Sequence, residues 1–153
     1  MTLYQRTLIQ ESPWKNLSST FKNNFFMFFY VVTWGALLLG YGDIFYWKLV
    51  IAITALQVFI MLPLVNFQIM VFPVQLRIVY TVWVALGTYV PELVFMIHVT
   101  TVGLVARIAF GYCPLARMLS LLPWNRDQSF SVNLLLRTIF QAPKPGRFEV
   151  VTK

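Results

Sequence analysis

Chemically reactive side chains are scarce in this sequence. Its 153 residues include one cysteine, one histidine and five acidic residues, and only 11% of the residues are charged. A single cysteine excludes an intrachain disulfide and a multi-cysteine metal site. The sequence also contains no phosphate-binding loop, no serine triad motif and no paired catalytic carboxylates. We therefore expect that the protein is not an enzyme.

Charge is absent from long stretches of the chain. Hydrophobic residues make up 59% of the sequence, whereas about a quarter of the residues of an average soluble domain are charged. A transmembrane helix needs about 20 mostly apolar residues. The pattern predicts an all-α, polytopic membrane protein of one domain, with four transmembrane helices in two hairpins at 23–42, 46–72, 73–91 and 93–112. Residues 1–22 and 113–153 are expected to be tails that include interfacial segments.

The third and fourth predicted spans are the shortest. Residues 78–90 and 93–106 each give an uncharged core of about 14 residues, which covers roughly 21 Å of a hydrocarbon layer about 30 Å thick. Both reach a full span only if Arg77 and Arg107 extend toward the headgroups. One helix through both segments would be too long for a single crossing, so a tight hairpin at Pro91-Glu92 is expected.

The distribution of basic residues predicts the orientation. In the four-span arrangement, only Lys48 lies on the outer side, and eleven of the twelve Lys and Arg residues lie on the other. These are Arg6, Lys15, Lys22, Arg77, Arg107, Arg117, Arg126, Arg137, Lys144, Arg147 and Lys153. The positive-inside rule then places both termini in the cytoplasm. Because the basic residues occur at helix ends and in tails, the net charge of +7 favours contact with lipid headgroups over binding of nucleic acid.

His98 is the only histidine and falls within the fourth predicted span. An ionisable side chain inside a membrane is a functional candidate, and a neutral imidazole is a common metal ligand. One interpretation is therefore axial ligation of a haem or a (bacterio)chlorophyll. The sequence favours the other interpretation, a packing histidine with a hydrogen bond to Thr101 or to another helix. A lone histidine cannot supply both axial ligands, and Val94 occupies the position one turn earlier, where a macrocycle would favour a small residue.

Three amide side chains lie in or near the second predicted span: Gln57, Asn66 and Gln68. Amides are costly in lipid unless they find hydrogen-bond partners, so they and Thr101 are expected to pack against other helices. A small homo-oligomeric transporter with a path along Gln57, Asn66 and His98 is the alternative. Such a path would normally require more polar side chains than this sequence provides.

Aromatic and basic residues mark the expected membrane interfaces. Trp14, Trp47 and Trp124 are typical of the headgroup region, and Arg117 and Arg126 would contact cytoplasmic headgroups. The segment 129–141 is predicted to form an amphipathic helix on that surface.

The residues Gly111-Tyr112-Cys113-Pro114-Leu115-Ala116-Arg117-Met118-Leu119, followed by Leu122-Pro123-Trp124-Asn125, resemble the end of the YgaP-like inner-membrane domain family. The resemblance covers roughly residues 72–127. It implies a two-helix hairpin, a bacterial inner-membrane location and a tendency to associate with itself or with other helices. The sequence lacks the sulfurtransferase domain that some members carry and the charged residues with which the family domain usually opens, so no sulfur chemistry is implied.

These observations predict a non-catalytic accessory subunit of a larger bacterial inner-membrane complex, such as a respiratory or photosynthetic one. Its partners would be other integral membrane subunits and membrane lipids, and a homo-oligomer is left open. The alternatives are the haem- or (bacterio)chlorophyll-binding protein and the transporter.

Overall fold

The structure is a computed structural model, and it describes Pro13 and residues 18–125 and 131–140. The predicted interfacial residues Trp14 and Arg126 lie outside the described residues.

Six α-helices and one 3₁₀ turn form the described part of the chain, which contains no strand. The helices are α1 (Ser19–Leu39), α2 (Ile44–Leu64), α3 (Phe72–Tyr89), α4 (Phe95–Phe110), α5 (Pro114–Ser120) and α6 (Val132–Phe140), and the 3₁₀ turn is Pro91–Leu93. The prediction of an all-α fold is confirmed.

The four long helices form a bundle in which each helix packs against two others. Helices α1 and α3 both contact α2 and α4. One buried cluster, which contains Phe26 and Met61, joins the start of α1, the end of α2 and the start of α3. A second cluster, which contains Leu37, Val84 and Ile97, lies toward the opposite end. We call the end that holds the start of α1 the basic end, because Lys22, Arg77, Arg107, Arg117 and Arg137 belong to helix ends and short helices there.

Two helical segments in the described ranges are long and apolar enough to cross a membrane. They are Ile44–Leu64 and Pro91–Phe110. This finding agrees with a membrane protein, and the four-span arrangement stays a prediction.

The second helix is shorter than the sequence pattern predicts. It ends at Leu64 and not at residue 72. Pro63 stands in its last turn, and Asn66 and Phe67 then adopt left-handed φ values of 54° and 58°, which are incompatible with a continuing α-helix. Asn66 and Gln68 therefore lie in the connection between α2 and α3.

A close approach of Gly40 and Trp47 shapes the connection between α1 and α2. The Trp47 indole N–H donates to the carbonyl oxygen of Leu37 at 3.2 Å. That carbonyl is one of the last four of α1, which have no partner within the helix. A Cβ at position 40 would overlap the indole ring, with Cγ of Trp47 only 2.7 Å away. The side chain of Asp43 accepts from the backbone N–H of Phe45 and caps the start of α2.

The α3–α4 pair is the expected hairpin, with its turn at Pro91–Leu93. Gly87 allows the two helices to approach, since a Cβ there would lie 3.0 Å from Cγ1 of Ile97. The indole of Trp83 donates to the carbonyl oxygen of Met96 and ties α3 to the start of α4. Gly111, which has φ of 70°, caps the C-terminus of α4. In a Schellman motif, the backbone N–H groups of Gly111 and Tyr112 donate to the carbonyl oxygens of Arg107 and Ala106, respectively.

Candidate functional site

His98 lies on the exposed side of α4 and contacts the α1–α2 connection. Its Nδ1 lies 2.7 Å from the hydroxyl of Tyr41, and the two rings stack with centroids 5.3 Å apart and an interplanar angle of 15°. Tyr41 also makes an edge contact with Trp47. The partner is thus a residue from another element and not Thr101. The bond occupies Nδ1 and fixes the orientation of the imidazole, and Nε2 is the nitrogen that a metal would use.

Most buried hydroxyls in the described bundle are bonded within their own helix. Thr101 is buried and donates to the carbonyl oxygen of Ile97. Gln57 is also buried, on α2. Asn66 and Gln68 lie in the connection between α2 and α3. Asn66 is exposed, whereas Oε1 of Gln68 is buried without a hydrogen-bond partner. These four residues are spread over different levels of the bundle, and the hydrogen bond of His98 goes to Tyr41.

Arg117 lies in α5 and holds the end of α6. Its Nη1 donates to the carbonyl oxygens of Thr138 at 2.6 Å and Ile139 at 3.1 Å. The hydroxyl of Tyr112 also donates to the carbonyl of Ile139, and the Arg117 guanidinium lies 4.4 Å from the centre of the Tyr112 ring. The last carbonyls of a helix carry partial negative charge, so a cation stabilises this end of α6.

Trp124 belongs to a polar network at the basic end. Its indole N–H donates to Oε1 of Gln75 at 3.3 Å, and the amide of Asn125 donates to the same oxygen at 2.9 Å and to the carbonyl of Leu119 at 3.0 Å. Gln75 in turn donates to the carbonyl of Met70. The network joins α3, the end of α5 and the α2–α3 connection.

The span lengths predicted that Arg77 extends toward the headgroups, but its side chain lies inside the bundle. It is 5% exposed. Its Nη2 donates to the Tyr30 hydroxyl at 3.1 Å, and its guanidinium lies 4.8 Å from the centre of the Phe26 ring and 5.0 Å from that of Tyr30. Arg107 lies on the same Tyr30 ring at 5.7 Å and donates to the carbonyl of Gly111. Aromatic faces attract cations. The rings of Phe26 and Tyr30 therefore stabilise the guanidinium of Arg77 inside the bundle, away from the headgroup region.

A cavity of about 120 Å³ lies between α1, α3, α4 and α5 beside these two arginines. Its walls include Arg77, Tyr80, Gly103 and Cys113. No local sequence pattern indicates this cavity, because its walls come from four helices. One signal was present in the sequence, namely an arginine a few residues inside an otherwise uncharged span.

The metal-binding interpretation finds no multidentate site among the described residues. No group of three His, Cys, Asp or Glu side chains there is close enough to hold a metal ion. Axial ligation of a macrocycle by His98 requires only one protein ligand, so it stays a prediction.

No family model matches the sequence, and neither a curated protein nor a solved structure is detectably similar to it.

Proposed function

We propose that the protein is a non-catalytic accessory subunit of a larger complex in a bacterial inner membrane, crossing it with α1 to α4 and keeping both termini in the cytoplasm. The observation that carries the proposal is an outward apolar side chain, more than half exposed, on every long helix. Examples are Phe28 on α1, Phe59 on α2, Val82 on α3 and Val102 on α4. Apolar surface on all sides of a bundle indicates a surrounding of lipid or protein and not water.

The burial of the polar residues of α3 supports its inclusion among the spans. Gln75 and Arg77 lower its apolar character, but both side chains are buried within the bundle. Lipid would therefore meet the outward residues of α3 and not these two. The interface between α3 and α4 also agrees with the hairpin that the YgaP-like resemblance implies.

The charges of the described residues support the orientation. The connections at the end opposite the basic end hold Asp43 and Glu92, with Lys48 in the first turns of α2. The basic end carries five described cations. The positive-inside rule then favours a cytoplasmic basic end.

The use of the polar groups supports an accessory role. The hydroxyls of Thr54, Thr81, Thr88, Thr100 and Thr101 each donate to a carbonyl three or four residues earlier in the same helix. Such bonds satisfy buried hydroxyls but do not prepare a nucleophile. The exposed apolar residues of α6, Val132, Leu136 and Phe140, add surface for a neighbouring subunit or the membrane interface.

The topology is tested with single cysteines in a Cys113→Ser background. Gly42→Cys and a cysteine on exposed Asn133 are compared for labelling of intact cells by a membrane-impermeant maleimide. We expect labelling of position 42 from outside and of position 133 only after the membrane is opened. Labelling of both from outside, or of neither, would contradict the four-span arrangement.

The accessory role is tested by gentle extraction from the native membrane and size-resolved native electrophoresis. We expect stoichiometric co-migration with larger membrane subunits. Migration as a small homo-oligomer, unchanged by milder detergent, would contradict the role while leaving the topology result intact.

The exposed His98 favours one second candidate, axial ligation of a haem or (bacterio)chlorophyll. Tyr41 fixes the ring through Nδ1, and an imidazole bound to metal commonly has its other nitrogen held by such a partner. A visible absorbance band in the natively extracted protein that is lost in His98→Ala and shifted in Tyr41→Phe is the expected result. A band that His98→Ala leaves unchanged would contradict it.

A further inference from the structure

The cavity at the basic end reaches the surface of the bundle. Most of its lining residues are aliphatic or aromatic. Two of them, Val99 on α4 and Met118 on α5, are 51% and 60% exposed, so the cavity meets the surroundings of the bundle between these two helices. A molecule that enters there passes between two apolar side chains.

The polar atoms around the cavity are engaged or closed off. The Thr100 hydroxyl and the Trp83 indole N–H both donate to the carbonyl oxygen of Met96. Arg77 and Tyr80 form the inner wall, but Nε of Arg77 and the hydroxyl of Tyr80 are buried and do not reach the open space. A polar ligand would lose its hydrogen bonds to water without replacement, so the lining selects an apolar ligand.

Both arginines beside the cavity are held by groups of the chain itself. Nη2 of Arg77 donates to the Tyr30 hydroxyl, and Nη1 of Arg107 donates to the carbonyl oxygen of Gly111 at 2.7 Å. The two guanidinium groups also lie on the Tyr30 ring, 5.0 Å and 5.7 Å from its centre. These contacts account for the positions of both side chains without a ligand.

Gly103 leaves part of the cavity open. It lies inside α4, and a Cβ there would have Cγ of Pro114 as its nearest neighbour, at 3.9 Å. Gly87 is different, because a Cβ there would lie 3.0 Å from Cγ1 of Ile97. Packing within the described chain thus requires a glycine at position 87 but not at position 103, although glycine inside a helix is less stable than alanine. The space at Gly103 is available to a group from outside the chain.

The size of the cavity limits what can enter. Its volume is about 120 Å³, whereas an apolar cavity of about 150 Å³ accommodates one benzene molecule. A segment of an alkyl chain with a few carbon atoms fits this space, but a complete acyl chain or a helix does not. Water does not suit it, because a buried water molecule needs several polar partners.

We propose that the cavity holds a segment of one acyl chain of a membrane phospholipid. The headgroup stays outside and is not recognised. An empty space would forfeit dispersion contacts with its walls, and phospholipid chains are the membrane component that meets the opening at Val99 and Met118. The inference rests on the proposed membrane location but not on the accessory role.

Photolabelling in lipid nanodiscs tests the inference. The purified full-length protein is reconstituted with a trace of phosphatidylcholine that carries a diazirine in the middle of one acyl chain, and labelled residues are mapped by peptide mass spectrometry. Phe59 on α2, which is 71% exposed, reports ordinary contact with lipid. We expect about fivefold more label at Val99 and Met118 than at Phe59, because a chain segment enclosed by side chains makes several more dispersion contacts.

The position of the label separates this inference from the membrane location. Label at Phe59 without enrichment at Val99 and Met118 would overturn the inference and leave the cavity to a side chain of a partner subunit. Absence of label at Phe59 as well would contradict the membrane location on which the inference rests.

Two further probes test the kind of ligand. A phosphatidylglycerol with the same photoreactive chain should label the cavity equally, and a requirement for the anionic headgroup would overturn the inference. A small mole fraction of unlabelled oleate should not displace the label. Displacement would assign the cavity to a free fatty acid and overturn the choice of a phospholipid.

Substitutions at Gly103 locate the effect. Gly103→Leu places a side chain in the cavity and should lower the label at Met118 to the level at Phe59. Gly35→Leu is the matched control, because it adds the same side chain beside open space on α1 and should leave the label unchanged. Gly103→Ala fills less of the cavity and should give an intermediate result, which decides the question if Gly103→Leu fails to fold. Undiminished label at Met118 in a folded Gly103 variant would refute the site.

Discussion

Replacing Gly40 by alanine is expected to destabilise the bundle, because the new methyl group would occupy the space of the Trp47 indole. The ring would have to move and would lose its hydrogen bond to the Leu37 carbonyl, which contributes about 1 kcal/mol. Its edge contact with Tyr41 would add about 0.5–1.5 kcal/mol. The strain of the crowded arrangement would add about 1–3 kcal/mol. We expect the free energy of unfolding to fall by about 2.5–5.5 kcal/mol.

The measurement is a titration of the protein in dodecyl maltoside micelles with sodium dodecyl sulfate, followed by circular dichroism. Gly35→Ala is the matched control, because it lies in α1 only five residues before Gly40 and a Cβ there meets nothing within 4 Å. Its stability should be unchanged or raised by up to about 1 kcal/mol, the difference in helix propensity.

A double-mutant cycle tests the assigned cause. In a Trp47→Ala background the space beside Gly40 is open, so Gly40→Ala should cost less than about 1 kcal/mol there. If Gly40→Ala alone had the same unfolding midpoint as Gly35→Ala, the steric explanation would be refuted. The explanation would also be refuted if Gly40→Ala lowered stability by the full amount in the Trp47→Ala background.

Three further perturbations test the caps and the polar network. Gly111→Ala should lower the free energy of unfolding by about 1–2 kcal/mol in the same titration, because its φ of 70° is strained for a residue with a Cβ. Gly103→Ala should not lower it, because Gly103 lies within a regular helix and a Cβ there would be 3.9 Å from its nearest neighbour. Equal effects of the two substitutions would contradict this account. Arg117→Gln should release the end of α6 and raise the rate of tryptic cleavage within that helix by about tenfold, since charge-assisted bonds to its carbonyls are lost; an unchanged rate would show that the bonds do not hold α6. Asn125→Leu leaves Gln75 Oε1 with one donor fewer and should cost about 1–3 kcal/mol, and combining it with Gln75→Leu should cost less than the sum, whereas strict additivity would argue against a shared network.

Local sequence patterns are sufficient for the helices but not for their ends. The uncharged stretches identify all four long helices, and the turn at Pro91 was expected. The predicted length of α2 was wrong because apolar residues continue to Phe72, whereas the helix ends just before Asn66 and Phe67 take left-handed φ values. The hydropathy of a segment carries no information about where its backbone leaves the helical conformation.

The candidate sites depend more strongly on contacts between distant residues. His98 was identified by its uniqueness, but its partner Tyr41 is 57 positions away, and no spacing rule connects them. The amide network around Gln75 likewise joins residues 49 and 50 positions apart.

The sequence by itself determined that the described part of the chain is helical and that its long helices are strongly apolar, because composition and period act locally. Only the tertiary structure decided where the guanidinium of Arg77 lies. Its long side chain can reach either the membrane surface or the bundle interior, and the choice follows from Phe26 and Tyr30, which α1 brings beside α3. The cavity beside Arg77 exists only because residues of four helices meet there.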